Sequence, residues 1–381
     1  MKFHVNRDVF SEAVSFVVKL LPQRNPQPIL AGVLIESTED GLLALSAFDY
    51  EASARTVIEA TIDEPGTILV HGRLLNDIAS RLPNAPIEIS TDEDGGVAVV
   101  CGPARFALAS MPVEEYPAIP EVTGESGLVP GEDFATAIAQ VAFAASRDDV
   151  TPVLTGVQLE VKDQHLSLVA TDRYRVAIRD IDWDGAQHDA TALVPARTLN
   201  EVGKTFSHGG NISIAFSGSG DREIIAFTAG NKTVTSLLIK GNFPPVRRLF
   251  PEQTGHYAVV STSDLQEAVR RVALVLDRSA PLRFTFGQTE VTMDAAGGDA
   301  ARASEAVDST LTGGDEVTLG LNPQYLLDAL GAVKSEFARI TFTSSDNANK
   351  LSPILVSAQT SAEDAGNDNF KYLLQPNLLL R

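Results

Sequence analysis

The sequence predicts an α+β chain of three like domains in tandem, each with two helices packed on antiparallel sheets. A segment that reads as strand, helix, turn and strand occurs three times, at 69–89, 193–216 and 319–342. Aligning Val70, Val194 and Leu319 gives spacings of 124 and 125 residues, close to one third of the 381-residue chain. Repeats that stack into solenoids have periods of about 20 to 50 residues, so this period indicates a domain with its own core.

Other landmarks keep the same spacing. They are 28–33 with 152–157, 47–50 with 170–173, and Tyr116-Pro117 with Phe243-Pro244. Proline-rich stretches at 111–130 and 241–255 separate the repeats, as expected of boundaries. We therefore predict domains at 1–120, 128–250 and 256–381.

Each repeat opens with an amphipathic helix, recognised by apolar residues at helical spacing. These residues are Val9, Phe10, Ala13, Val14, Val17 and Leu20 in the first repeat, Phe134, Ile138, Val141 and Ala142 in the second, and Leu265, Ala268, Val269, Val272 and Leu276 in the third. Ser11, Asp133 and Ser263 lie near the predicted starts, where a short oxygen side chain can cap free amides. Short alternating strands follow each opening helix, roughly eight to a repeat.

Composition bounds the class of protein. The sequence contains no apolar run of the ~20 residues that span a bilayer, and its N-terminus has no signal-peptide core. Cys101 is the single cysteine, so a reducing cytoplasm is expected and Cys101 is interpreted as a small buried strand residue.

The net charge of −20 argues against a nucleic-acid partner, but its distribution argues the other way. The six predicted helices with their flanks sum to +2, which leaves −22 on the rest of the chain. If the helices share one face, that face is neutral to basic. The alternative is uneven surface charge in an acidic protein.

No motif for catalysis or metal binding is present in the sequence. A phosphate-binding loop, a GxSxG elbow, HExxH and CxxC are all missing, and the histidines have no ligand spacing. We expect no metal and no cofactor. The densest polar motif is 170–175, where Asp172 stands beside Arg173 and Arg175; a strand-end ion pair is favoured there, and an α+β hydrolase that uses Asp172 with a histidine is the remote alternative.

The three-fold period, together with several motifs, resembles the bacterial DNA polymerase III β subunit, the sliding clamp family. The motifs are PILAGVL (28–34), ATDRYRVA (170–177), VPAR (194–197), GNFPPVRRLFP (241–251) and KYLLQP (371–376). The resemblance implies three DNA-clamp domains and a head-to-tail homodimer that closes into a ring around duplex DNA. It also implies a non-catalytic processivity factor that tethers the polymerase.

The resemblance further implies three sets of site residues. Arg24, Arg73, Arg147 and Arg197 are expected to face DNA, without reading its sequence. Arg105 and Phe106 are expected to meet Leu274 and Val275 of a second copy. A groove for short linear peptides of the polymerase III alpha subunit, the clamp loader, and repair and translesion polymerases is expected from Leu154, Thr171, Arg173, Tyr174, Arg175, Val176, Pro244, Arg248, Leu249, Leu373, Gln375 and Pro376.

The sequence departs from the family pattern at this groove. Arg173-Tyr174 stands where the common form has Gly-His, and Gln375 stands where the family has Met, followed by an altered tail of residues 377–381. Met is an adaptable apolar wall, whereas Gln adds an amide that needs partners. Two readings stay open: the main replicative clamp, or a second copy whose altered groove tolerates a groove-binding inhibitor.

Overall fold

Two helices in each repeat lie where the sequence predicts them in the computed structural model. The structure describes the whole chain except residues 22–26, 93–94, 121, 123, 186–188, 208–209, 218–222, 251–254, 278–279, 298–300, 344–351, 362–368 and 380–381. The helices α1 to α6 are Arg7–Lys19, Gly72–Ala79, Gly131–Val141, Ala196–Phe206, Thr262–Val272 and Pro323–Val333. The predicted α+β class is confirmed.

The described strands are distributed evenly over the repeats. The first repeat contains β1 to β9 at Lys2–Val5, Gly32–Ser37, Leu43–Phe48, Ala52–Ile58, Thr61–Glu64, Thr67–His71, Ile87–Thr91, Val97–Cys101 and Ala104–Leu108. The second contains β10 to β18 at Glu125–Pro130, Gly156–Lys162, His165–Thr171, Arg175–Asp182, Asp184–Gly185, Ala190–Pro195, Asn211–Ser217, Ile224–Ala229 and Lys232–Leu237. The third contains β19 to β26 at Tyr257–Ser261, Leu282–Phe286, Glu290–Gly297, Ala301–Thr312, Val317–Leu321, Phe337–Phe342, Ile354–Gln359 and Phe370–Leu374.

The helix starts correct the three predicted caps. The Asn6 side chain accepts the amides of Asp8 and Val9 at the start of α1, and Ser261 accepts the amide of Asp264 at the start of α5. Ser11, Asp133 and Ser263 lie inside α1, α3 and α5 and are not their caps, because a cap must precede the first helical residue.

The second helix of each repeat shows that the third copy is offset by two residues. The starts Gly72, Ala196 and Pro323 are 124 and 127 residues apart, whereas the alignment on Leu319 predicts 125. The buried residues Leu75, Leu199 and Leu326 each stand three positions after these starts. The alignment on Leu319 is therefore wrong for this helix, and Leu321 is the position that matches Val194.

The described strands form three sheets, and two of these sheets join strands from different repeats. Their strand orders are β5-β1-β7-β8-β9, β14-β10-β16-β17-β18-β4-β3-β2-β6, and β15-β11-β12-β13-β26-β25-β24-β19-β22-β21-β20-β23. Antiparallel pairing of β18 with β4 links the second repeat to the first, and pairing of β13 with β26 links the second repeat to the third. The structural units therefore do not coincide with the repeats.

The chain divides into two compact units. The first comprises Met1–Ala135, Trp183–Ala186 and Arg197–Leu238 and holds the five- and nine-stranded sheets. Cys101 is buried in it on β8, as predicted, and its thiol donates to the carbonyls of Pro83 and Ala85. The second comprises Thr136–Asp182, Gln187–Ala196 and Ile239–Arg381 and holds the twelve-stranded sheet.

The described part of the C-terminal tail lies against β23 in the second unit. The Asn377 amide donates to the Gly320 carbonyl at 2.8 Å, which extends the pairing beyond β26. A Cβ atom on Gly320 would lie 2.8 Å from Leu379 Cδ2 and 3.1 Å from the Asn377 oxygen. A glycine at 320 therefore lets the tail approach closely, and a larger residue would have to displace the Leu379 side chain.

A buried tyrosine fixes the end of the first repeat. Tyr116 packs with Phe48 and Leu69, its hydroxyl oxygen accepts the Phe48 amide at 2.8 Å, and the hydroxyl donates to the Gly32 carbonyl at 3.4 Å. Burial raises the pKa of Tyr116 to about 12, although the hydrogen bond from the Phe48 amide opposes this.

We expect the free energy of unfolding to fall as pH rises from about 10 to about 12, because the unfolded tyrosine ionises first. Tyr116 accounts for about 2–3 kcal/mol of this decrease in the free energy of unfolding, which follows from the difference between its pKa in the folded and unfolded states. Tyr116→Phe should remove that part and cost about 1 kcal/mol at neutral pH, since the Phe48 amide loses its acceptor. Urea titrations at pH 8 and pH 11.5 measure both effects, with Tyr50→Phe, an exposed position, as the control. An equal pH slope in Tyr116→Phe and wild type would contradict the assignment.

Candidate functional site

Residues distant in sequence meet where β13 begins and β26 ends. Arg175 pairs with Leu374 and Val176 with Leu373, and the Gln375 amide donates to the Tyr174 carbonyl at 2.9 Å. The family resemblance implies that both segments belong to one groove, and the sheet places them side by side. Backbone pairing therefore sets the spacing of Tyr174 and Gln375.

A hydrophobic cluster lies on this part of the sheet. Its buried members are Val169, Val176, Ile178, Val246 and Leu373, with Phe243, Phe250 and Leu355 packed around them. The adjoining turn Val246–Leu249 leaves Arg248 exposed and Leu249 52% exposed, and Pro244 is half-buried. Aliphatic side chains that are only partly covered beside a proline suit an extended peptide with apolar anchors.

A pocket of ≈ 830 Å³ opens in the same unit. Four of the predicted groove residues line it, namely Leu154, Arg173, Tyr174 and Arg175. Its other lining residues are Ala145, Ser146, Arg147, Asp148, Val150, Thr151, Asp172, Gln324, Tyr325 and Asp328. Helix α6 of the third repeat thus supplies a wall that sequence reasoning missed.

The floor of this pocket holds a buried cation. The Arg175 guanidinium donates through Nε to Asp172 Oδ2 at 2.8 Å, through Nη1 to Asp328 Oδ2 at 2.7 Å, and through Nη2 to the Phe143 carbonyl at 2.8 Å. Its carbon lies 4.2 Å from the centre of the Tyr325 ring, on which it stacks. The predicted strand-end ion pair of Asp172 is therefore present, and both of its oxygens are engaged.

The charge on Arg175 is secured by its surroundings. Burial lowers the pKa of an arginine, but the neighbouring Tyr372 hydroxyl and the carboxylates of Asp328 and Asp172 outweigh it and raise the pKa of Arg175 above its ordinary value. Burial also raises the pKa of Tyr372, whose hydroxyl donates to the Tyr325 carbonyl at 3.0 Å. The pocket is therefore lined by a permanent cation, and the buried Tyr372 beside that cation is a neutral phenol.

The turn between β12 and β13 forms the lip of the pocket. Asp172 Oδ1 accepts the amides of Tyr174 and Arg175, and Thr171 Oγ1 accepts the amide of Arg173. These bonds hold Arg173 at a φ of 82°, a conformation that favours glycine and costs another residue about 1–3 kcal/mol. The glycine common in the family at this position fits this backbone.

Arg173 compensates with a contact of its own. Its Nη2 donates to Thr151 Oγ1 at 2.5 Å, so the side chain reaches the loop that follows α3. Tyr174, the next residue, is 61% exposed. The changed dipeptide Arg173-Tyr174 therefore adds a polar bridge and an exposed aromatic ring to the pocket.

The remaining predicted residues lie outside this pocket, with one exception. Arg105 and Phe106 are exposed on β9, the last strand of the five-stranded sheet. Leu274 is 83% exposed and Val275 is half-buried in the turn after α5. Arg73 and Arg197 are exposed, each one position after its helix start. Arg147 is the exception, because it lines the pocket; Arg24 lies outside the described residues.

A second recess, in the first unit, was not predicted. It measures ≈ 530 Å³, and four cations line it, Arg7, Lys19, Lys204 and Lys232. Lys232 pairs with Glu12 at 2.5 Å and lies 5.6 Å from the centre of the Phe16 ring. In the sequence, the summed charge of the predicted helices and their flanks is positive. That sum does not indicate which of the cations lie together in the fold.

Among the described residues no group of three or more His, Cys, Asp or Glu could hold a metal ion. None of the described helices has both the length and the apolar character needed to cross a membrane. The lining residues of the pocket include no histidine beside Asp172, and both carboxylate oxygens of Asp172 already accept hydrogen bonds. This arrangement is that of a structural ion pair.

Comparison with known families decides the identity. Profiles of the DNA polymerase III beta subunit match along the chain, the N-terminal domain at residues 1–120, the central domain at 128–245 and the C-terminal domain at 247–373. The chain belongs to the DNA polymerase III beta subunit family. Beta sliding clamps of this family are non-catalytic processivity factors of DNA replication that act as homodimeric rings, so the hydrolase alternative is excluded.

Similarity to individual sliding clamps extends over the whole chain. The beta sliding clamp of Streptomyces coelicolor is 45% identical over 381 residues, with 99% of each chain covered. The DNA polymerase III subunit beta of Pseudomonas aeruginosa is 28% identical, and its crystal structure matches with a TM-score of 0.90 over 100% of both chains. The beta sliding clamp homolog GriR of Streptomyces muensis is 37% identical over 378 residues, covering 99% of each chain. The identity is higher to the Streptomyces coelicolor clamp than to this homolog, and the reading as a second copy with an altered groove is not favoured.

Removing the buried cation of this clamp should be costly. Arg175→Met leaves Asp172 and Asp328 without their common partner, and breaking a buried ion pair from one side costs about 3–5 kcal/mol. We expect this loss in urea denaturation. Arg271→Met is the matched control, since Arg271 also pairs with two carboxylates, Glu305 and Glu267, but at the surface, and little change is expected. Equal losses in the two variants would contradict the role of burial.

Proposed function

We propose that the meeting of β13 and β26 builds the site through which this clamp holds the replication machinery. The observation that carries the proposal is the partly covered hydrophobic cluster, adjoined by the pocket at Arg173, Tyr174 and Arg175. The proposed groove consists of the twelve residues predicted from the resemblance. Its occupants are short linear peptides of the polymerase III alpha subunit, the clamp loader, and repair and translesion polymerases. The clamp thereby keeps these partners at high local concentration on DNA.

The ring is proposed to close between two unlike surfaces. Phe106 and Arg105 on the outer strand β9 would meet Leu274 and Val275 of a second copy. Exposure of apolar side chains such as Phe106 and Leu274 to water is unfavourable in an isolated chain, and their burial at an interface is favourable. Because the two surfaces differ, each copy offers one of each, and a head-to-tail pair closes without free ends.

DNA is proposed to pass along the helices. Arg73 and Arg197 occupy the same position in α2 and α4, and repeated domains would present such residues at regular intervals around a duplex. Arg24 and Arg147 complete the predicted set. The recess with Arg7, Lys19, Lys204 and Lys232 adds cations in the first unit, although Asp8 and Glu12 also line it and pair with Arg7 and Lys232. Such contacts hold phosphates without reading bases, which suits a protein that slides.

The three proposed domains are 1–120, 128–250 and 256–381, and the proposed location is the cytoplasm. A single buried cysteine and the replication role support that location.

Ring closure is tested by mass and by retention on DNA. Sedimentation equilibrium of the wild-type chain near micromolar concentration should give twice 40.6 kDa, and Phe106→Asp should give 40.6 kDa because a charge replaces the apolar contact. After loading onto nicked circular DNA, wild type should be retained through gel filtration until the DNA is linearised, whereas Phe106→Asp should be lost.

Leu128→Asp is the matched control, since Leu128 and Phe106 are both 39% exposed. It should remain a retained dimer. A wild-type mass of one chain at every concentration would overturn the ring.

The effect of the changed groove residue is also measurable. Gln375→Met replaces an amide that must be desolvated by an adaptable apolar side chain, so a fluorescein-labelled peptide copying the clamp-binding segment of the alpha subunit should bind about threefold to tenfold more tightly. Fluorescence anisotropy measures the affinity. Asn377→Met, an exposed position two residues further along, should leave it unchanged. Unchanged affinity in Gln375→Met would show that this position does not contact the peptide.

A further inference from the structure

Helix α6 of the third repeat is joined to the lip of the groove by one continuous set of hydrogen bonds. Gln324 Nε2 donates to Asp328 Oδ1 at 2.8 Å, and the other oxygen of Asp328 accepts Arg175 Nη1 at 2.7 Å. Arg175 Nε then donates to Asp172 Oδ2 at 2.8 Å. Both oxygens of each carboxylate are used, so the position of each group fixes the next.

The chain of bonds ends on the backbone that shapes the pocket. Asp172 Oδ1 accepts the amides of Tyr174 at 3.1 Å and Arg175 at 3.2 Å. The turn that these bonds close carries Arg173 in its positive-φ conformation and exposes Tyr174. The turn is strained, and it persists only while surrounding groups hold it.

The three repeats offer an internal comparison for Asp328. Asp77, Glu201 and Asp328 each stand five positions after the start of their helix. Asp77 pairs with Arg81, which follows the end of α2, and Glu201 pairs with Lys204 of the same helix; both cations are exposed. In the third repeat the carboxylate instead reaches the buried Arg175 of the second repeat. An acidic residue at this position thus has a distinct partner in the repeat that borders the groove.

We propose that Asp328, held by Gln324, is a positioning residue for the peptide groove, so that peptide affinity depends on a helix of the third repeat as well as on the groove residues themselves. The inference rests on the proposed function of the groove. It assigns Asp328 an indirect role, through Arg175 and Asp172, on the turn of Arg173 and Tyr174. The charged acceptor matters because a hydrogen bond to an ionised group is roughly twice as strong as a neutral one.

The test uses Asp328→Asn in the full-length chain, which keeps the shape of the side chain and removes its charge. The probe is the fluorescein-labelled peptide copying the clamp-binding segment of the alpha subunit. We expect affinity to fall about fivefold to tenfold, less than the full strength of one charged hydrogen bond, because the change reaches the peptide only through Arg175 and Asp172. Amide hydrogen exchange at Tyr174 and Arg175 should become faster, because their acceptor Asp172 is less firmly held. Asp328→Glu should recover part of the affinity.

Asp77→Asn is the matched control, with the same chemical change at the same helix position in a repeat that does not border the groove. It should leave affinity, exchange at Tyr174 and dimer mass unchanged. Gln324→Met is a milder second variant, in which a smaller loss of affinity is expected without removal of charge.

Wild-type affinity in both Asp328→Asn and Gln324→Met would overturn the inference and leave the proposed function intact. An equal loss in Asp77→Asn would also overturn it, because the effect would then not be specific to the groove. Absence of peptide binding by the wild-type chain would overturn the proposed function and, with it, this inference.

Discussion

The antiparallel pairing of β13 with β26 is the interaction on which the candidate groove depends. Its hydrogen bonds bring Val176 and Leu373 into one hydrophobic cluster and place Gln375 beside Tyr174. Residues almost two hundred positions apart in sequence therefore share a surface whose spacing is set by backbone geometry. The same pairing makes the last strand of the chain a structural part of the second repeat.

Desolvation of Arg175 is the constraint on the other side of this sheet. A guanidinium that is 8% exposed needs partners for its donors, and two carboxylates and a carbonyl accept from it while its carbon lies over the Tyr325 ring. Such a network is weak evidence of stabilisation, since an apolar replacement of the whole set can be as stable. Its value lies in specifying one geometry for the turn above it.

Much of the fold could be predicted from the sequence because helical spacing and tandem repetition are local signals. The opening helices, the strands and the buried Cys101 follow from residue patterns within each repeat. The two-residue offset at Leu319 was missed because the β-strand before α6 alternates, so that Leu319 and Leu321 look alike. Pairing of β18 with β4 and of β13 with β26 could not be predicted, since nothing in one strand encodes its distant neighbour.

The site was predictable only where the family resemblance named its residues. Gln324, Tyr325 and Asp328 carried no motif, and their relation to Arg175 exists only in three dimensions. Arg147, expected at DNA, lines the pocket instead of standing apart from it. Gly320 and the C-terminal tail are likewise neighbours only in the folded structure, where Leu379 and Asn377 lie close to the position that a Cβ atom on residue 320 would take. A larger residue at 320 would have to displace the Leu379 side chain and press on the Asn377 backbone, so this position limits how closely the C-terminus can approach β23.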